Sequence, residues 1–368
     1  MKKMRVATIL TLCCTFSIAS AQIQPQTMSP PETMPDPGEN WFMAVGRNAG
    51  YVFDASSGDM YGLISISGHT PAVQPNPARG EFYAAASFYA RGSYGERTDV
   101  LVIHDYENLS PVAEVEIPKK IVALPFRAYI GLMSGGRYVG VSNMTPAQSV
   151  SIVDVENRSF VGEISTPGCA LIMPVENDGF MSLCGDGTLQ LVRLGADGTE
   201  SNRVRSTKFF DIQEDPVYDR PRETATGWSL LSNAGLVFDV TTNGNSVNIS
   251  DAWSILSEED AEEGWLPGGS QLNSVHKDLG LLYIAMHQGE QYTHHEAGTE
   301  IWVFNTTTQR RLARIELEIP SATLMVTQEA EPLLIVGNDE GEVNVYDART
   351  FVHQRSIEAP EIALFEDL

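Results

Sequence analysis

Residues 152–164 read IVDVENRSFVGEI: a short run of β-branched residues that ends in Asp, a polar turn, and a second run in which apolar residues alternate. Alternation of this kind is typical of a strand with one buried face. Asp and Asn at the reversal hydrogen-bond to their own backbone and favour a tight turn. The stretch therefore predicts a β-hairpin.

The same hairpin pattern occurs seven times in the chain. The copies are Val52–Asp54 with Tyr61–Ile66, Val102–Asp105 with Val112–Ile117, Ile152–Asp154 with Phe160–Ile164, Leu191–Leu194 with Arg203–Ser206, Val237–Asp239 with Val247–Ile249, Val303–Asn305 with Leu312–Leu317, and Val345–Asp347 with His353–Ile357. Between Asp54 and Asp347 they recur about every 49 residues, which is the period of a four-stranded propeller blade and too long for a leucine-rich or hexapeptide solenoid.

Each hairpin is expected to supply the two outer strands of a blade, and preceding segments such as Phe82–Phe88 and Leu281–Met286 the two inner ones. The chain enters partway through a blade at Trp41–Val45 and ends with the apolar segment Glu361–Phe365, so the last strand should complete the first blade. Residues 41–368 are therefore predicted to be all-β, a seven-bladed β-propeller with four-stranded antiparallel blades.

One interval is longer than the others, with about 66 residues between Asp239 and Asn305. Its extra residues include 250–265, where Trp253, Ile255, Leu256 and Ala261 lie among acidic residues at helix-like spacing. We expect a short helical insertion near 250–265. Such an insertion serves either as a partner-specific surface or as a loop without function.

The N-terminus has the three parts of a signal peptide, since Lys2, Lys3 and Arg5 precede an apolar stretch from Val6 to Ile18 and an A-x-A site that ends at Ala21. Residues 1–21 are predicted to be removed after Ala21 on export, together with Cys13 and Cys14. The apolar stretch is too short to span a bilayer. Residues 22–40 are proline-rich and predicted to form a flexible arm.

Removal of that segment leaves one pair of cysteines, Cys169 and Cys184. In an oxidising compartment a single pair predicts a disulfide, here closing a loop of about 16 residues and contributing about 3 kcal/mol. A metal or haem site would need histidines nearby or a C-x-x-C-H motif, and the sequence has neither at these positions.

The formal charge of −24 becomes −27 when Lys2, Lys3 and Arg5 are removed. Nucleic acid is excluded as a partner because phosphate contacts require clustered Lys and Arg. The acidity serves solubility alone, or it provides a field that attracts basic partners and cationic substrates.

The sequence has no catalytic motif of its own: there is no G-x-S-x-G, no H-E-x-x-H and no glycine-rich phosphate loop. Of seven histidines only His287, His294 and His295 lie close together, and a solvated or interface loop explains them better than a metal site. The Asp of each hairpin is assigned to turn formation and not to calcium, because the copies lie in different blades.

Three stretches resemble the heavy subunits of methylamine and aromatic amine dehydrogenases, which depend on a tryptophylquinone. They are Gly95–Asp99, Cys169 through Cys184–Gly187, and Trp253–Arg314 with Trp265–Gly269, His276, Met286-His287 and Glu300–Val303 inside it. The resemblance extends from about residue 50 to the end of the chain. Cys184–Gly187 and Glu300–Val303 are more similar to the aromatic (aralkylamine) branch than to the methylamine branch.

The resemblance implies a non-catalytic subunit of a periplasmic amine dehydrogenase that converts primary amines to aldehyde and ammonia. Two heavy and two light subunits would assemble, with tryptophan tryptophylquinone and the catalytic base on the light subunit. Electrons would pass to a blue copper protein of the azurin or amicyanin type. Neither a catalytic residue nor a metal is expected on this chain.

Within the resemblance, the stretch after the insertion is the candidate contact with the light subunit: Trp265, Pro267, Gly268, Gly269 and His287. The chain departs from the family at Gly46–Gly50, where family members carry extra residues that include an aromatic near the partner's active site. No substrate-gating residue is therefore assigned.

Two other functions are compatible with a propeller. The first is a stand-alone binding module that has lost its light subunit. The second is an independent quinoprotein with a soluble cofactor and calcium, which would need an acidic cluster beside cofactor-stacking tryptophans.

Overall fold

The structure, a computed structural model, describes residues 33–70, 72–119, 121–122 and 124–368. The predicted signal peptide and residues 22–32 of the predicted arm lie outside the described residues. Residues 33–40 form no helix or strand, and Met34 packs against the apolar core while its N–H donates to the carbonyl oxygen of Glu107 at 2.7 Å.

The described residues form thirty strands. The first three blades contain β1 (Trp41–Val45), β2 (Ala49–Asp54), β3 (Met60–Ser65), β4 (Val73–Asn76), β5 (Glu81–Tyr89), β6 (Arg97–Asp105), β7 (Pro111–Ile117), β8 (Ile130–Leu132), β9 (Tyr138–Asn143), β10 (Ser149–Asp154) and β11 (Ser159–Ser165). The next two contain β12 (Cys169–Val175), β13 (Gly179–Cys184), β14 (Leu189–Leu194), β15 (Glu200–Arg205), β16 (Arg222–Glu223), β17 (Trp228–Leu231), β18 (Leu236–Asn243), β19 (Ser246–Ile249) and β20 (Trp253–Ser254). The last two contain β21 (Trp265–Pro267), β22 (Asn273–His276), β23 (Leu281–Gln288), β24 (Gly298–Asn305), β25 (Arg310–Ser321), β26 (Thr323–Val326), β27 (Leu333–Gly337), β28 (Glu342–Asp347) and β29 (His353–Glu358), and β30 (Leu364–Asp367) returns to the first blade.

These strands build seven antiparallel sheets, which confirms the predicted seven-bladed propeller. The sheet orders are β3-β2-β1-β30, β4-β5-β6-β7, β8-β9-β10-β11, β12-β13-β14-β15, β16-β17-β18-β19, β21-β23-β24-β25 and β26-β27-β28-β29, with β20 paired to β18 and β22 paired to β23. The first strands of neighbouring blades contact one another: β4 contacts β8, and β26 contacts β30. They therefore line the axis of the ring.

The apolar core lies between the blades. Met43 and Val52 of blade 1 share one cluster with Phe82 and Leu101 of blade 2, and comparable clusters join the other neighbours. Strands buried on both faces read as near-continuous apolar runs, whereas the outermost strands expose every second residue.

Ring closure occurs through β30, as the sequence predicts, although the strand begins three residues later than the apolar segment that starts at Glu361. Ala44 pairs with Phe365 and Val45 with Leu364. Gln271 reinforces the closure because its side-chain amide donates to the Phe365 carbonyl at 3.1 Å and its Oε1 accepts the Phe365 N–H at 2.8 Å.

The Asp or Asn that ends the first strand works as a turn residue in five of the seven hairpins; of the other two, one has Leu194 at this position, and in the other Asp239 lies within β18. Oδ1 of Asp54, Asp105, Asp154, Asn305 and Asp347 accepts a backbone N–H two or three residues later, at 2.6–2.9 Å. Within the part of the chain that the structure describes, no group of three or more His, Cys, Asp or Glu side chains could hold a metal ion. The turn assignment explains these residues without calcium.

The insertion near 250–265 contains one short helix, α1 (Glu258–Glu262), together with the two-residue strand β20 and the first residue of β21, and its remaining residues are irregular. Ser257 caps it: the Ser257 hydroxyl accepts the Asp260 N–H, and Asp260 Oδ2 accepts the Ser257 N–H at 2.9 Å. Of the four residues at helix-like spacing only Ala261 is helical. Trp253 begins the insertion as β20, because its side chain is buried against Phe304 at 5.8 Å between ring centroids.

Cys169 and Cys184 form the predicted disulfide, and they face each other across β12 and β13. Replacing both with Ala should lower the free energy of unfolding by about 3 kcal/mol, since the loop they close regains its freedom in the unfolded chain. Urea titration of the double variant beside the wild type checks this. An unchanged midpoint would show that the β12–β13 pairing alone fixes the loop.

Candidate functional site

One face of the ring carries most of the long connections. In an antiparallel blade the connections alternate between faces, so links between second and third strands share a face with links between blades. On this side lie 90–96, 118–119, 121–122, 124–126, 206–221, 250–264 and 289–297, whereas the opposite side carries mostly tight turns. We call this side the long-loop face.

The long-loop face also exposes large apolar side chains. They are Phe88, Tyr94, Leu124, Met144, Ile212 and Tyr292. Exposed aromatic and aliphatic side chains on loops held by a rigid scaffold are typical of a partner-binding surface. The sequence indicates them only weakly, as apolar residues inside polar loops such as Arg91–Gly95.

All five predicted contact residues lie at the long-loop end of blade 6. β21 pairs with the end of β23, with Trp265 opposite Gln288 and Pro267 opposite Met286. The inner strand then breaks after Pro267 and resumes as β22. The structure thus brings Trp265, Pro267, Gly268, Gly269 and His287 together, and it buries all five within the chain.

Two glycines allow this break. A Cβ at Gly268 would lie 2.4 Å from Nδ1 of His287, and Gly269 has a φ of +114°, which side chains rarely adopt. The Gly269 N–H donates to the carbonyl oxygen of His294 at 3.0 Å. The broken strand therefore anchors the 289–297 loop, which carries exposed Tyr292.

His287 contacts the same loop. Its Nε2 lies 2.8 Å from the hydroxyl of Thr293. Burial lowers the pKa of His287, and burial followed by the neighbouring charge of His295 lowers the pKa of His294. The lowered pKa values favour the neutral form of both rings at neutral pH, and His287 positions the loop through its hydrogen bond with Thr293 and not as a charge.

Trp265 is only 6% exposed and belongs to the core of blades 5 and 6. Its ring lies 5.3 Å from that of Trp302, and the guanidinium of Arg314 lies over both, at 4.6 and 4.7 Å. Glu300 fixes this stack by accepting from Trp302 Nε1 at 2.6 Å and from Arg314 Nε at 2.7 Å.

Strand β25, which carries Arg314, also holds the insertion in place. Arg311 Nη1 on β25 donates to Asp260 Oδ2 at 2.8 Å. Although burial opposes ionisation, hydrogen bonds from Ser257 and Arg311 keep the pKa of Asp260 below its ordinary value. Between the fixed insertion and the loops of blades 4 to 6 lies a groove of about 300 Å³ whose lining includes Leu256, Trp265 and Gln291.

A second cavity, of about 240 Å³, lies on the axis of the ring, since the first strand of each blade contributes to its wall. Arg127 lines it and pairs with the buried carboxylate of Glu366, with Nε and Oε2 2.6 Å apart. Burial raises the pKa of Glu366 to about 7 despite the opposing effect of Arg127 and Arg222.

This raised pKa predicts a pH dependence of stability. The folded protein binds the Glu366 proton more tightly than the unfolded chain, so this contribution is present at low pH and is lost as the pH rises from about 4.5 to 7. Glu366→Gln mimics the protonated form. Between pH 5 and pH 8 the wild type should therefore lose about 3 kcal/mol of unfolding free energy relative to the variant.

Urea titrations of both proteins at the two pH values measure this difference. Glu358→Gln, which changes an exposed carboxylate on β29, is the control and should follow the wild type. Equal pH dependence of wild type and Glu366→Gln would show that Glu366 is ionised throughout.

No helix within the described residues is long and apolar enough to cross a membrane.

Comparison with known proteins is consistent along nearly the whole chain. A family model described as methylamine dehydrogenase heavy chain (MADH) matches residues 34–364. The methylamine dehydrogenase heavy chain of Methylophilus methylotrophus is 26% identical over 296 residues, covering 79% of this chain and 72% of that protein. The heavy chain of Paracoccus versutus is 26% identical over 329 residues, covering 86% and 76%.

A solved structure shares the fold. It is a functionally unknown protein from Desulfotomaculum acetoxidans DSM 771, with a TM-score of 0.61 and 12% identity over 89% of this chain and 98% of that one. At this identity the likeness shows the propeller fold alone.

Proposed function

The chain belongs to the methylamine dehydrogenase heavy chain family, and from this membership we propose that it is the non-catalytic heavy subunit of a periplasmic amine dehydrogenase. The enzyme would oxidise primary amines to aldehyde and ammonia. The observation that carries the proposal is the family match over residues 34–364, which includes every blade.

The quinone of such an enzyme is proposed to lie on a separate light subunit. Trp265 and Trp302 of this chain lie side by side, yet they do not fit a substrate-reactive quinone. Trp302 is fully buried, Trp265 nearly so, and Arg314 covers both rings. Both rings belong to the apolar core, so oxidation chemistry is assigned to the partner's tryptophan tryptophylquinone.

The light subunit is proposed to dock on the long-loop face, at its blade-6 end. Three features support this position: the exposed Tyr292, the groove beside Trp265, and the insertion held rigidly by Arg311. A rigid, pre-formed surface lowers the entropy lost on association. In the assembled enzyme, two heavy and two light subunits, this surface would wall the substrate entrance and exclude water.

The substrate is proposed to be an aralkylamine, and the electron acceptor a blue copper protein. The substrate proposal rests on the Cys184–Gly187 and Glu300–Val303 stretches, whereas the relatives compared above are methylamine dehydrogenase heavy chains. The formal charge of −24 supports approach of protonated amines, since an acidic protein attracts cations over distances of about 10 Å at moderate salt.

Replacing Tyr292 with Ser should weaken light-subunit binding about tenfold or more, because an exposed aromatic at the centre of an interface provides a large share of the buried apolar area. The matched control is Val352→Ser on the opposite face, since Tyr292 and Val352 are both 57% exposed. Binding is measured by calorimetry with the co-expressed light subunit. Equal affinities of the two variants would place the light subunit elsewhere.

A further inference from the structure

The axial cavity contains an arginine whose charge is incompletely satisfied. Arg222 is 6% exposed, and its Nε donates to the carbonyl oxygen and Oδ1 of Asn273, at 2.6 and 3.0 Å. Its terminal nitrogens have no acceptor among the described residues, and no salt bridge reaches them. Yet Arg222 lines the cavity. These donors therefore face the cavity, where water or a ligand must accept from them, because a guanidinium with unmet donors is unfavourable.

A second guanidinium faces the same space. Arg127 lines the cavity with 41% of its side chain accessible, even though its partner Glu366 is buried. Burial, together with repulsion by Arg127, lowers the pKa of Arg222 to about 9. Both guanidiniums line the same cavity, so an anion inside it would be attracted by two positive charges.

The carboxylates at the cavity do not neutralise this pair. Glu366 is occupied by Arg127, and Glu223 forms a salt bridge with Lys277 at 2.6 Å. Asp367 also lines the wall, and burial raises its pKa to about 6, so above that pH it carries a negative charge, which attracts Arg127. Arg222 retains no carboxylate of its own.

The rest of the wall is apolar. Ile130, Leu132, Ile172, Val275 and Met325 line it together with Trp228. A volume of about 240 Å³ is below that of sites for drug-sized ligands, and it suits a small molecule with one charged end.

We propose that the axial cavity is a binding site for a small organic carboxylate, whose anionic end accepts hydrogen bonds from Arg222 and Arg127 and whose apolar body packs in the channel. The two guanidiniums supply paired donors that match the two oxygens of a carboxylate. This site lies on the axis of the ring and shares no lining residue with the groove beside Trp265, and it does not rest on the proposed role as a heavy subunit.

The test uses probes of similar size and different charge on the purified full chain. Calorimetry with phenylacetate should show one saturable site. The neutral 2-phenylethanol and the cation benzyltrimethylammonium should not displace phenylacetate. Benzyltrimethylammonium is the chosen cation because it cannot be oxidised as an amine. Arg222→Gln should weaken phenylacetate binding about tenfold or more, since a charge-assisted pair is lost. The control Arg310→Gln, an exposed arginine on β25, should bind as the wild type does.

Several outcomes would overturn the proposal. Preferential binding of benzyltrimethylammonium would assign the cavity to cations through Asp367, and binding of sulfate without phenylacetate would restrict it to inorganic anions. Unchanged affinity in Arg222→Gln would remove the assigned residue. If that variant does not fold, the double variant Arg127→Gln with Glu366→Gln replaces it, because removing both partners leaves no unpaired buried carboxylate, and the same loss of affinity is expected.

Discussion

Deletion of residues 364–368 should abolish cooperative folding of the propeller. The deletion removes β30, leaves the β1 edge of the first blade unpaired and exposes the cores on both sides of it. It also removes Glu366, the carboxylate paired with Arg127. Losing a fully buried Phe365 alone would cost about 3–5 kcal/mol. The sum approaches the whole stability of a domain, about 5–15 kcal/mol.

Urea titration followed by circular dichroism measures the loss of the cooperative transition. Adding a synthetic peptide of residues 361–368 should restore the transition, and a scrambled peptide of the same composition should not. A truncated chain that unfolds at the full-length midpoint would show that the ring does not depend on closure by β30.

Replacing Trp265 with Ala should lower the free energy of unfolding by about 3–5 kcal/mol, because the change leaves a cavity beside Trp302 and removes the surface under Arg314. It should also weaken light-subunit binding, since Trp265 lines the groove on the long-loop face. Both effects follow from one buried side chain that supports a surface.

Trp265→Phe separates the two effects. It retains most of the buried volume but loses the indole N–H that donates to Glu263 at 3.0 Å, so stability should fall less than in the Ala variant. Affinity for the light subunit is then measured at a temperature where both variants are folded. Wild-type affinity in folded Trp265→Ala would remove this region from the interface.

Much of the fold is readable in the sequence because the propeller repeats a local pattern. Apolar runs ending at Asp54, Asp154 and Asp347 predict hairpins, because turn residues and strand alternation act over a few residues only. The insertion was less readable. The spacing of Trp253 favours a helix, but its burial against Phe304 makes it a strand, and that contact joins residues far apart in sequence.

The candidate site was predictable only in part. The sequence drew attention to Trp265–Gly269 and His287, and the structure places them together through pairing of β21 with β23. It could not show that they are buried, or that Tyr292 is the exposed neighbour. The axial pair Arg127 and Arg222 gave no signal, because the two residues come from different blades and line one cavity only when the ring closes.

The most direct test of the account is purification of the chain from the periplasm of its native host, with the mass of any bound subunit and the visible spectrum recorded. The account predicts a small partner chain with quinone absorbance that bleaches when a primary aromatic amine is added. A lone, colourless propeller would contradict it and would favour a stand-alone binding module.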